Sequence, residues 1–254
     1  IRPSTRRAEL LAEHGHPIDW LSGAWSCPKC RDTGFVEGRM CSCLKELYEK
    51  QRSQSLSALI KLGSESFETF DLGFYSDVRD PNTGISPREQ MTMVYGFCRD
   101  YADHFGPSSV NLLFRGSTGL GKTFLSACIA RVVSEKGFSV VYETTVEALA
   151  AYEEQKFRPS DEADERVERL TDCELLILDD LGTEMVTEFT KSALYTLINA
   201  RLLGGRKTVI STNLDWNSMA DKYTPQICSR LQGEYQDLPF IGTDIRLIKK
   251  KRGL

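Results

Sequence analysis

The pattern of hydrophobic and polar positions separates a polar N-terminal part of the chain from a C-terminal part in which short apolar runs alternate with amphipathic stretches. From Val110 onward, the runs VNLLF, SVVY, LLILDD and TVIST have the length and composition of buried strands. The segments KTFLSACIARVVSEKG and EFTKSALYTLINARLLGG repeat apolar side chains at helical spacing and end at glycines. Strands and helices that alternate in this way predict an α/β fold with a parallel sheet covered by helices.

The same pattern divides the chain into three zones. Residues 1–63 contain clustered cysteines and a polar, helix-prone stretch, so we predict a small N-terminal module there. Residues 64–107 mix aromatic residues with turn formers before a helical pattern from Arg88 to His104, and we interpret them as a linker with a lead-in helix. Residues 108–254 form the predicted α/β domain.

Composition narrows the class of protein. The chain has 254 residues, 41% of them hydrophobic, which is enough for one large domain with a core and a small additional one. No apolar run reaches the roughly 20 residues of a membrane span, so we expect a cytoplasmic protein with no membrane partner. The net charge of −4 argues against a protein that coats nucleic acid, so a DNA contact must be local. Four isolated cysteines are predicted to be reduced core residues: Cys98, Cys128, Cys173 and Cys228.

A glycine-rich segment after the first predicted strand, GSTGLGKT, matches the phosphate-binding pattern G-x-x-x-x-G-K-[ST]. Its glycines let backbone N–H groups wrap around phosphate oxygens, and the following helix presents its positive N-terminal end to them. Lys122 is predicted to reach the terminal phosphates of ATP, and Thr123 to bind Mg²⁺ through its hydroxyl. The predicted nucleotide-binding residues are Gly116, Ser117, Thr118, Gly119, Leu120, Gly121, Lys122 and Thr123.

Polar residues also follow two later strands. LLILDD ends in Asp179, which is predicted to bind ATP-associated Mg²⁺, and in Asp180, which stands where a base polarises the attacking water. Aspartate is one methylene shorter than the glutamate that many P-loop ATPases use, so we expect slow turnover. Glu184 is the alternative base, and Asn213, after TVIST, is predicted to orient water from a neighbouring strand. The alternative for Asp180, Glu184 and Asn213 is an ordinary role in a turn.

These segments, together with QICSRL and GTDIRL, resemble the DnaC/DnaI-type bacterial helicase loaders and their IstB transposition relatives, which are AAA+ ATPases. The resemblance covers about residues 65–250. It implies an AAA+ P-loop fold that lacks the C-terminal helical lid, because only eight residues follow Arg246. It also implies ATP hydrolysis by subunits that associate through the ATP interface.

The resemblance gives each matching residue a role. Lys122 and Thr123 correspond to the Walker A pair, and Asp179 and Asp180 to Walker B. Three more residues are implied to act on the nucleotide: Asn213 as sensor 1, Arg230 as the arginine finger that reaches a neighbouring subunit's ATP, and Arg246 as sensor 2. On the sequence alone, an ordinary surface position is an equally good interpretation of Arg230 and of Arg246.

The cysteine cluster has the spacing C-x₂-C followed by C-x-C and supplies four thiolates, the number that a tetrahedral structural zinc requires. Four free thiols in a flexible segment are the alternative, and His14 and His16 are possible substitute ligands. The C-x-C spacing is tighter than in most zinc knuckles. The predicted zinc ligands are Cys27, Cys30, Cys41 and Cys43.

The resemblance implies that the protein loads the hexameric replicative helicase onto single-stranded DNA, using ATP, during replication initiation. In such loaders the N-terminal region holds the helicase, and the module here offers aromatic anchors: Trp20, Trp25, Phe35 and Tyr48. The insert EEQKFRPSDEADERVERL, between the second and third strands, is the expected contact for single-stranded DNA.

Three other functions remain open on the sequence. The first is an IstB-type transposase-helper ATPase, which would bind duplex DNA. The second is a P-loop kinase for nucleosides, which would leave Asn213 and the cysteines without a role. The third is an ATP-dependent scaffold that does not hydrolyse its nucleotide.

Overall fold

The computed structural model describes residues 13–14, 25–45, 47 and 65–253. They belong to two compact units. We call residues 13–14, 25–45 and 47 the N-terminal unit and residues 65–253 the sheet unit. Most of the helix-prone stretch of residues 44–63 lies outside the described residues, as do His16, Trp20 and Tyr48.

In the N-terminal unit, a short antiparallel hairpin joins β1 (Phe35–Val36) to β2 (Arg39–Met40). Gly38 has a positive φ of 77° in the turn, a conformation that costs glycine nothing because it has no Cβ. The N–H of Cys41 donates to the carbonyl of Gly34 at 2.8 Å. The two ends of the hairpin, at Gly34 and Cys41, are therefore held next to each other.

The sheet unit contains five strands, all parallel to their neighbours. They are β3 (Asn111–Arg115), β4 (Val140–Thr144), β5 (Leu175–Leu181), β6 (Lys207–Thr212) and β7 (Tyr235–Pro239). Their spatial order is β4-β5-β6-β3-β7, so β6 lies between β5 and β3. The carboxyl ends of parallel strands meet at one edge of the sheet, and the polar residues that follow β3, β5 and β6 are therefore neighbours.

Eight helices accompany these strands in the sheet unit. They are α1 (Pro87–Asp103), α2 (Lys122–Glu135), α3 (Thr145–Phe157), α4 (Asp161–Asp172), α5 (Glu188–Leu203), α6 (Trp216–Lys222), α7 (Pro225–Glu234) and α8 (Ile245–Arg252). Two hydrophobic clusters hold them on the sheet: α1 and α2 pack on one face, and α3 to α7 on the other.

The two clusters follow from the alternation of side chains along each strand. In β3, Leu112 and Phe114 belong to the cluster with α1 and α2, whereas Leu113 belongs to the other cluster. In β5, Ile177 and Leu176 divide in the same way. These side chains are fully buried, which explains why strands covered on both faces read as continuous apolar runs.

The segment before β3 packs on the same core. Phe67 and Tyr75 share a cluster with residues of α1 and α2. Ser86 caps α1 through a capping box with Glu89, and Pro87 occupies its first turn, where no N–H partner is needed. Residues 65–107 are therefore part of the sheet unit's packing, while the domain limits at residues 63 and 107 stay predictions.

The predicted parallel sheet covered by helices is confirmed. The sequence did not predict β7, because this strand lies at the sheet edge and its YQDLP segment has only two buried residues, Tyr235 and Leu238, and no apolar run. The isolated cysteines are buried free thiols, as predicted. In the described part of the chain, α8 is the only helix after β7, so no helical lid follows the sheet there. None of the described helices has the length and apolar character needed to cross a membrane.

Candidate nucleotide and metal sites

The glycine-rich segment forms a tight loop between β3 and α2. Gly116 has a φ of 156°, and a Cβ there would lie 2.2 Å from the carbonyl oxygen of Phe240. A Cβ at Gly119, where φ is 73°, would lie 2.0 Å from a carboxylate oxygen of Asp244. Only glycine fits either position, since both would bring a side chain into the neighbouring chain segment. The loop geometry therefore depends on the glycines that the motif specifies.

The N-terminus of α2 is open. Gly121 precedes it in a left-handed conformation and provides no side-chain cap. Each of the other seven helices described in residues 65–253 has a side-chain acceptor at its N-cap. Uncapped N–H groups at a helix start bind anions, and the helix dipole adds to that attraction. This end of α2 is therefore suited to phosphate.

Lys122 lies in the first turn of α2 and is almost fully buried. Its ammonium donates to the carbonyls of Gly116 at 2.6 Å and Ser117 at 2.8 Å, and to Oδ1 of Asn213 at 2.6 Å. Burial lowers the pKa of Lys122, and the nearby carboxylate of Asp180 opposes this shift. The sequence-predicted lysine and asparagine are thus in direct contact, and phosphate oxygens would replace carbonyls as the partners of the ammonium.

Asp179 is buried at the end of β5. Tyr142 donates from its hydroxyl to Oδ2 at 2.8 Å, and Ser211 donates to Oδ1. Thr145 donates to the Asp179 carbonyl at 3.2 Å. Hydroxyl donors on both oxygens fix the carboxylate in one orientation. The sequence did not predict Tyr142 or Ser211, because neither belongs to a motif and both come from other strands.

Asp180 has a different environment from its neighbour. Its φ is 56°, a left-handed conformation that is uncommon outside glycine. Its N–H donates to Oγ of Ser211 at 2.9 Å, and its side chain lines a cavity. Burial raises the pKa of Asp180, the charge of Asp179 adds to the shift, and Lys122 and Arg246 oppose it. A carboxylate with a raised pKa at a cavity wall is suited to accept a proton.

The cavity has a volume of about 470 Å³, within the range of small-molecule sites. The phosphate-binding motif supplies residues 118–123 of its lining, and Asp180, Asn213 and Arg246 add polar side chains. Phe70 and Phe74 add aromatic side chains. The motif residues of the lining were predicted from the sequence, whereas the two phenylalanines come from the zone interpreted as a linker. Further lining residues that the sequence did not predict are Glu65, Thr69, Asp71, Phe124, Thr183, Ile245 and Lys249.

The two arginines have different positions. Arg246 lies on α8 and lines the cavity of its own chain. Arg230 lies on α7, where its guanidinium stands 5.7 Å from the centre of the Tyr195 ring, and it is not among the cavity residues. Glu184 is also outside the cavity: its carboxylate accepts from the N–H of Gly182 at 2.8 Å and from the hydroxyl of Tyr223. Both carboxylate oxygens of Glu184 thus have protein partners, at a position outside the cavity where an alternative base would act.

The oxygen donors around the P-loop fit magnesium. Mg²⁺ prefers oxygen ligands and keeps several waters. Thr123 and Asp180 line the cavity with Lys122, and Asp179 is buried outside the lining. Both carboxylates lie close enough to act on the Lys122 charge. Thr123 and Asp179 stay the predicted ligands, with Asp180 beside them. A bound Mg²⁺ would supply charge neutralisation to the phosphates.

In the N-terminal unit, the sulfur atoms of the four clustered cysteines all lie within 4.8 Å of one another. Sγ of Cys27 is 3.8 Å from Sγ of Cys41, and Sγ of Cys30 is 3.3 Å from Sγ of Cys43. A tetrahedral zinc with Zn–S bonds of about 2.3 Å places its sulfurs roughly 3.8 Å apart. The tighter C-x-C spacing therefore does not keep Cys43 out of the cluster, and the four thiols fit one zinc ion.

Local backbone contacts shape this cluster. The carboxylate of Asp32 accepts from the N–H groups of Ser26 at 3.0 Å and Cys27 at 2.8 Å. A hydrogen bond from the backbone of Cys30 lowers the pKa of the Cys27 thiol to about 7, which favours the thiolate that zinc requires. Among the described residues, the group of potential ligands at this site consists of cysteines alone, so His14 is not part of it.

The features of the sheet unit define a class of protein. A five-stranded parallel sheet carries a P-loop after β3, an acidic pair at the end of β5 and an asparagine after β6, and this is the AAA+ type of P-loop ATPase fold. The family model of the IstB-like ATP binding proteins matches residues 102–251, more than half of the chain. The chain belongs to this family of ATP-binding proteins, and its P-loop cavity is the candidate site for the nucleotide.

Individual relatives agree with this assignment. The replicative helicase loader DnaC of Escherichia coli strain K12 is 24% identical over 135 residues, which are 53% of this chain and 55% of DnaC. The chain thus spans about half the length of the curated relatives it matches. A crystal structure of the DnaC helicase loader superposes with a TM-score of 0.58 at 19% identity and covers 69% of this chain and 96% of that one. A crystal structure of DnaI superposes with a TM-score of 0.57 at 19% identity, and the match covers 75% of this chain and 93% of that one. These structures share the fold.

Proposed function

We propose that this protein is an ATPase that loads the hexameric replicative helicase onto single-stranded DNA during replication initiation. The observation that carries the proposal is one cavity lined by Lys122, Asp180, Asn213 and Arg246, four of the residues predicted to act on the nucleotide within one subunit. The relationship to DnaC over about half of each chain supports a role in replication. The four-thiol unit supports a docking function outside the ATPase fold.

In the proposed reaction, Asp180 accepts a proton from the water that attacks the γ-phosphate, and Asn213 orients this water. Lys122 leaves its carbonyl partners and binds the terminal phosphates, while Arg246, which also lines the cavity, neutralises phosphate charge. The water must be held by a short carboxylate on a backbone with an unusual φ of 56°. This constraint supports slow turnover.

Arg230 is proposed to act in trans. It lies outside its own ATP cavity and is held over Tyr195, beside a shallow groove that also contains Glu188, Lys191 and Gln226. An arginine finger has no use in its own subunit, so its effect requires association through the ATP interface. ATP would then favour the assembled form of the protein.

The N-terminal unit is proposed to hold the helicase. Its buried side chains are cysteines, whereas its apolar side chains point outward: Trp25 is 47% exposed, Phe35 52% and Met40 55%. Exposed aromatic and methionine side chains on a rigid hairpin are typical anchors of protein interfaces. Zinc would fix the hairpin that presents them. Trp20 and Tyr48, the other predicted anchors, lie outside the described residues.

A contact with single-stranded DNA is proposed at the end of α3. Phe157 is 67% exposed, its ring lies 5.5 Å from that of Phe189, and the ammonium of Lys156 lies 5.1 Å from the Phe189 ring. Aromatic rings with a cation beside them stack on bases and attract phosphates. The rest of the insert begins α4 with acidic residues, which repel DNA, so the aromatic end of α3 is the part of the insert that fits.

The test is a loading assay with the replicative helicase of the source organism and single-stranded DNA circles. The full-length protein should increase the amount of helicase on DNA in the presence of ATP. Phe35→Ala with Met40→Ala should abolish helicase capture and leave ATP binding intact, and Phe157→Ala should weaken DNA contact alone. The matched control is Leu203→Ala, which removes an exposed apolar side chain from the far end of α5. Capture that is equal in the hairpin variant and the control would refute the docking role.

The alternative is a transposase-helper ATPase, which the IstB-like family match favours. This function requires binding to duplex DNA and to a transposase, and it gives the four-thiol hairpin no helicase to hold. Competition between duplex and single-stranded DNA for the ATP-bound protein separates the two. A clear preference for duplex, together with no helicase capture, would favour the alternative.

A further inference from the structure

The two Walker B aspartates lie at an irregularity in the sheet. Leu178 of β5 pairs with Ile210 of β6, and Leu181 pairs with Thr212. Three steps along β5 thus match two steps along β6, which is a β-bulge. Asp179 and Asp180 together oppose a single residue of β6, Ser211.

The bulge explains why adjacent aspartates have different environments. In a regular strand, a residue with φ near −120° would continue the pairing with β6. Asp180 instead has a φ of 56°, which takes its N–H out of the ladder and turns its side chain into the ATP cavity. Asp179 stays buried beneath it, between the hydroxyls of Tyr142 and Ser211. A left-handed aspartate persists only where its surroundings hold it.

Ser211 provides that support. Its side chain is fully buried, and its single hydroxyl accepts from the N–H of Asp180 at 2.9 Å while it donates to Oδ1 of Asp179. A hydroxyl has one donor and two acceptor sites, so both bonds form at once. No solvent competes for the hydroxyl, because the site is closed to water. The serine hydroxyl thus replaces the missing ladder partner and links the two carboxylate residues.

We propose that Ser211 is a positioning residue of the ATP site, which holds Asp180 at the bulge and fixes its distance from the carboxylate of Asp179, the predicted magnesium ligand. The proposal rests on the proposed function in requiring an ATP site at this cavity. Ser211 is not among the residues that line the cavity, and it acts through the two aspartates. Partners of this kind, behind a metal ligand, typically change metal affinity or activity by about 10–100-fold when they are lost.

The test compares Ser211→Thr with Ser211→Val in the full-length protein. The two side chains have nearly the same shape and differ in the hydroxyl, so a difference between them reports the hydrogen bonds and not the packing. We expect the valine variant to hydrolyse ATP at least about tenfold more slowly than the threonine variant. In EDTA, the two variants should bind a fluorescent ATP analogue with affinities that agree within about twofold. Mg²⁺ should increase this affinity less in the valine variant than in the threonine variant.

Two controls separate this role from a general structural one. Ser126→Ala removes another fully buried serine hydroxyl, one that has no hydrogen-bond partner, and should leave turnover unchanged. In an Asp180→Asn background, replacing Ser211 by valine should slow turnover less than it does in the wild type, because the part of the effect that acts through Asp180 is already lost.

Equal turnover and equal Mg²⁺ response in the threonine and valine variants would overturn the proposal, as would a valine variant that no longer binds nucleotide in EDTA. If the wild-type protein binds ATP without hydrolysing it, the proposed ATPase function fails, and the Mg²⁺ response still decides the role of Ser211. Failure of the inference and failure of the function are thus distinguishable.

Discussion

The N-terminal unit and the sheet unit hold their functional atoms in place by different means. In the N-terminal unit, the buried cluster consists of the predicted zinc ligands, and the larger apolar side chains are exposed. In the sheet unit, apolar clusters on both faces fix five strands, and polar residues that follow them line the P-loop cavity. The first arrangement is predicted to depend on a zinc ion, whereas the second depends on strand register. We therefore expect the two units to respond to different perturbations.

Metal removal should have the largest effect, and it should be confined to the N-terminal unit. Structural zinc contributes about 10–16 kcal/mol of apparent binding energy, which in a small module is folding energy. Elemental analysis should find close to one zinc per chain. A strong chelator, or Cys41→Ser, should abolish amide protection in residues 25–45 and leave the thermal transition of residues 65–253 unchanged. A metal-free protein that keeps this protection would contradict the zinc assignment.

The second prediction concerns the ATP interface between subunits. Arg230→Ala should lower turnover about 10³-fold or more if the guanidinium stabilises charge on a neighbour's phosphate. It should leave ATP binding intact, since Arg230 lies outside its own cavity. Wild-type turnover should rise faster than linearly with protein concentration.

Mixing provides the control for this prediction. Arg230→Ala protein has an intact ATP site, and Lys122→Ala protein has an intact Arg230. The mixture should therefore hydrolyse ATP faster than either variant alone. Specific activity that does not change with concentration or mixing would place Arg230 outside the mechanism.

The sequence predicted the motifs at the sheet edge better than the contacts that support them. Lys122 and Asn213 are 91 positions apart and were both predicted, because each follows a recognisable apolar strand. Tyr142 and Ser211 were missed, because their roles depend on which strands are neighbours and on a one-residue bulge. No sequence motif marks a single buried hydroxyl within a strand. The aromatic residues of the cavity were missed for a related reason. Phe70 and Phe74 belong to the segment before the first predicted strand, and no pattern in that segment indicates that it folds against the P-loop.

The third prediction tests Asp180 as the base. Asp180→Asn should keep ATP binding and lower turnover by about 10²–10⁴-fold, the usual contribution of a general base. In the wild type, the base works only when deprotonated. Since burial raises the pKa of Asp180, turnover should fall during acidification at a higher pH than for an exposed aspartate.

Arg246→Ala sharpens this assignment, because Arg246 opposes the raised pKa of Asp180. Loss of Arg246 should therefore move the acidic limb of the pH–turnover profile to still higher pH. Glu184→Gln is the matched control and should not move the limb, because Glu184 is bound by Gly182 and Tyr223 outside the cavity. A limb that follows Glu184 would assign the base to that residue.

The smallest predicted effect concerns one hydroxyl in the sheet unit, and it compares two buried tyrosines. The Tyr142 hydroxyl donates to the buried carboxylate of Asp179, whereas the Tyr101 hydroxyl is buried without a hydrogen-bond partner. Hydrogen bonds to charged groups contribute about 1.5–3 kcal/mol, and a buried unpaired hydroxyl contributes nothing favourable. Tyr142→Phe should therefore lower the free energy of unfolding by about that amount, and Tyr101→Phe should leave it unchanged or raise it. Each kcal/mol corresponds to a shift of about 2–4 °C in the thermal transition of a domain this size. Equal shifts for the two variants would mean that Asp179 is held by Ser211 alone.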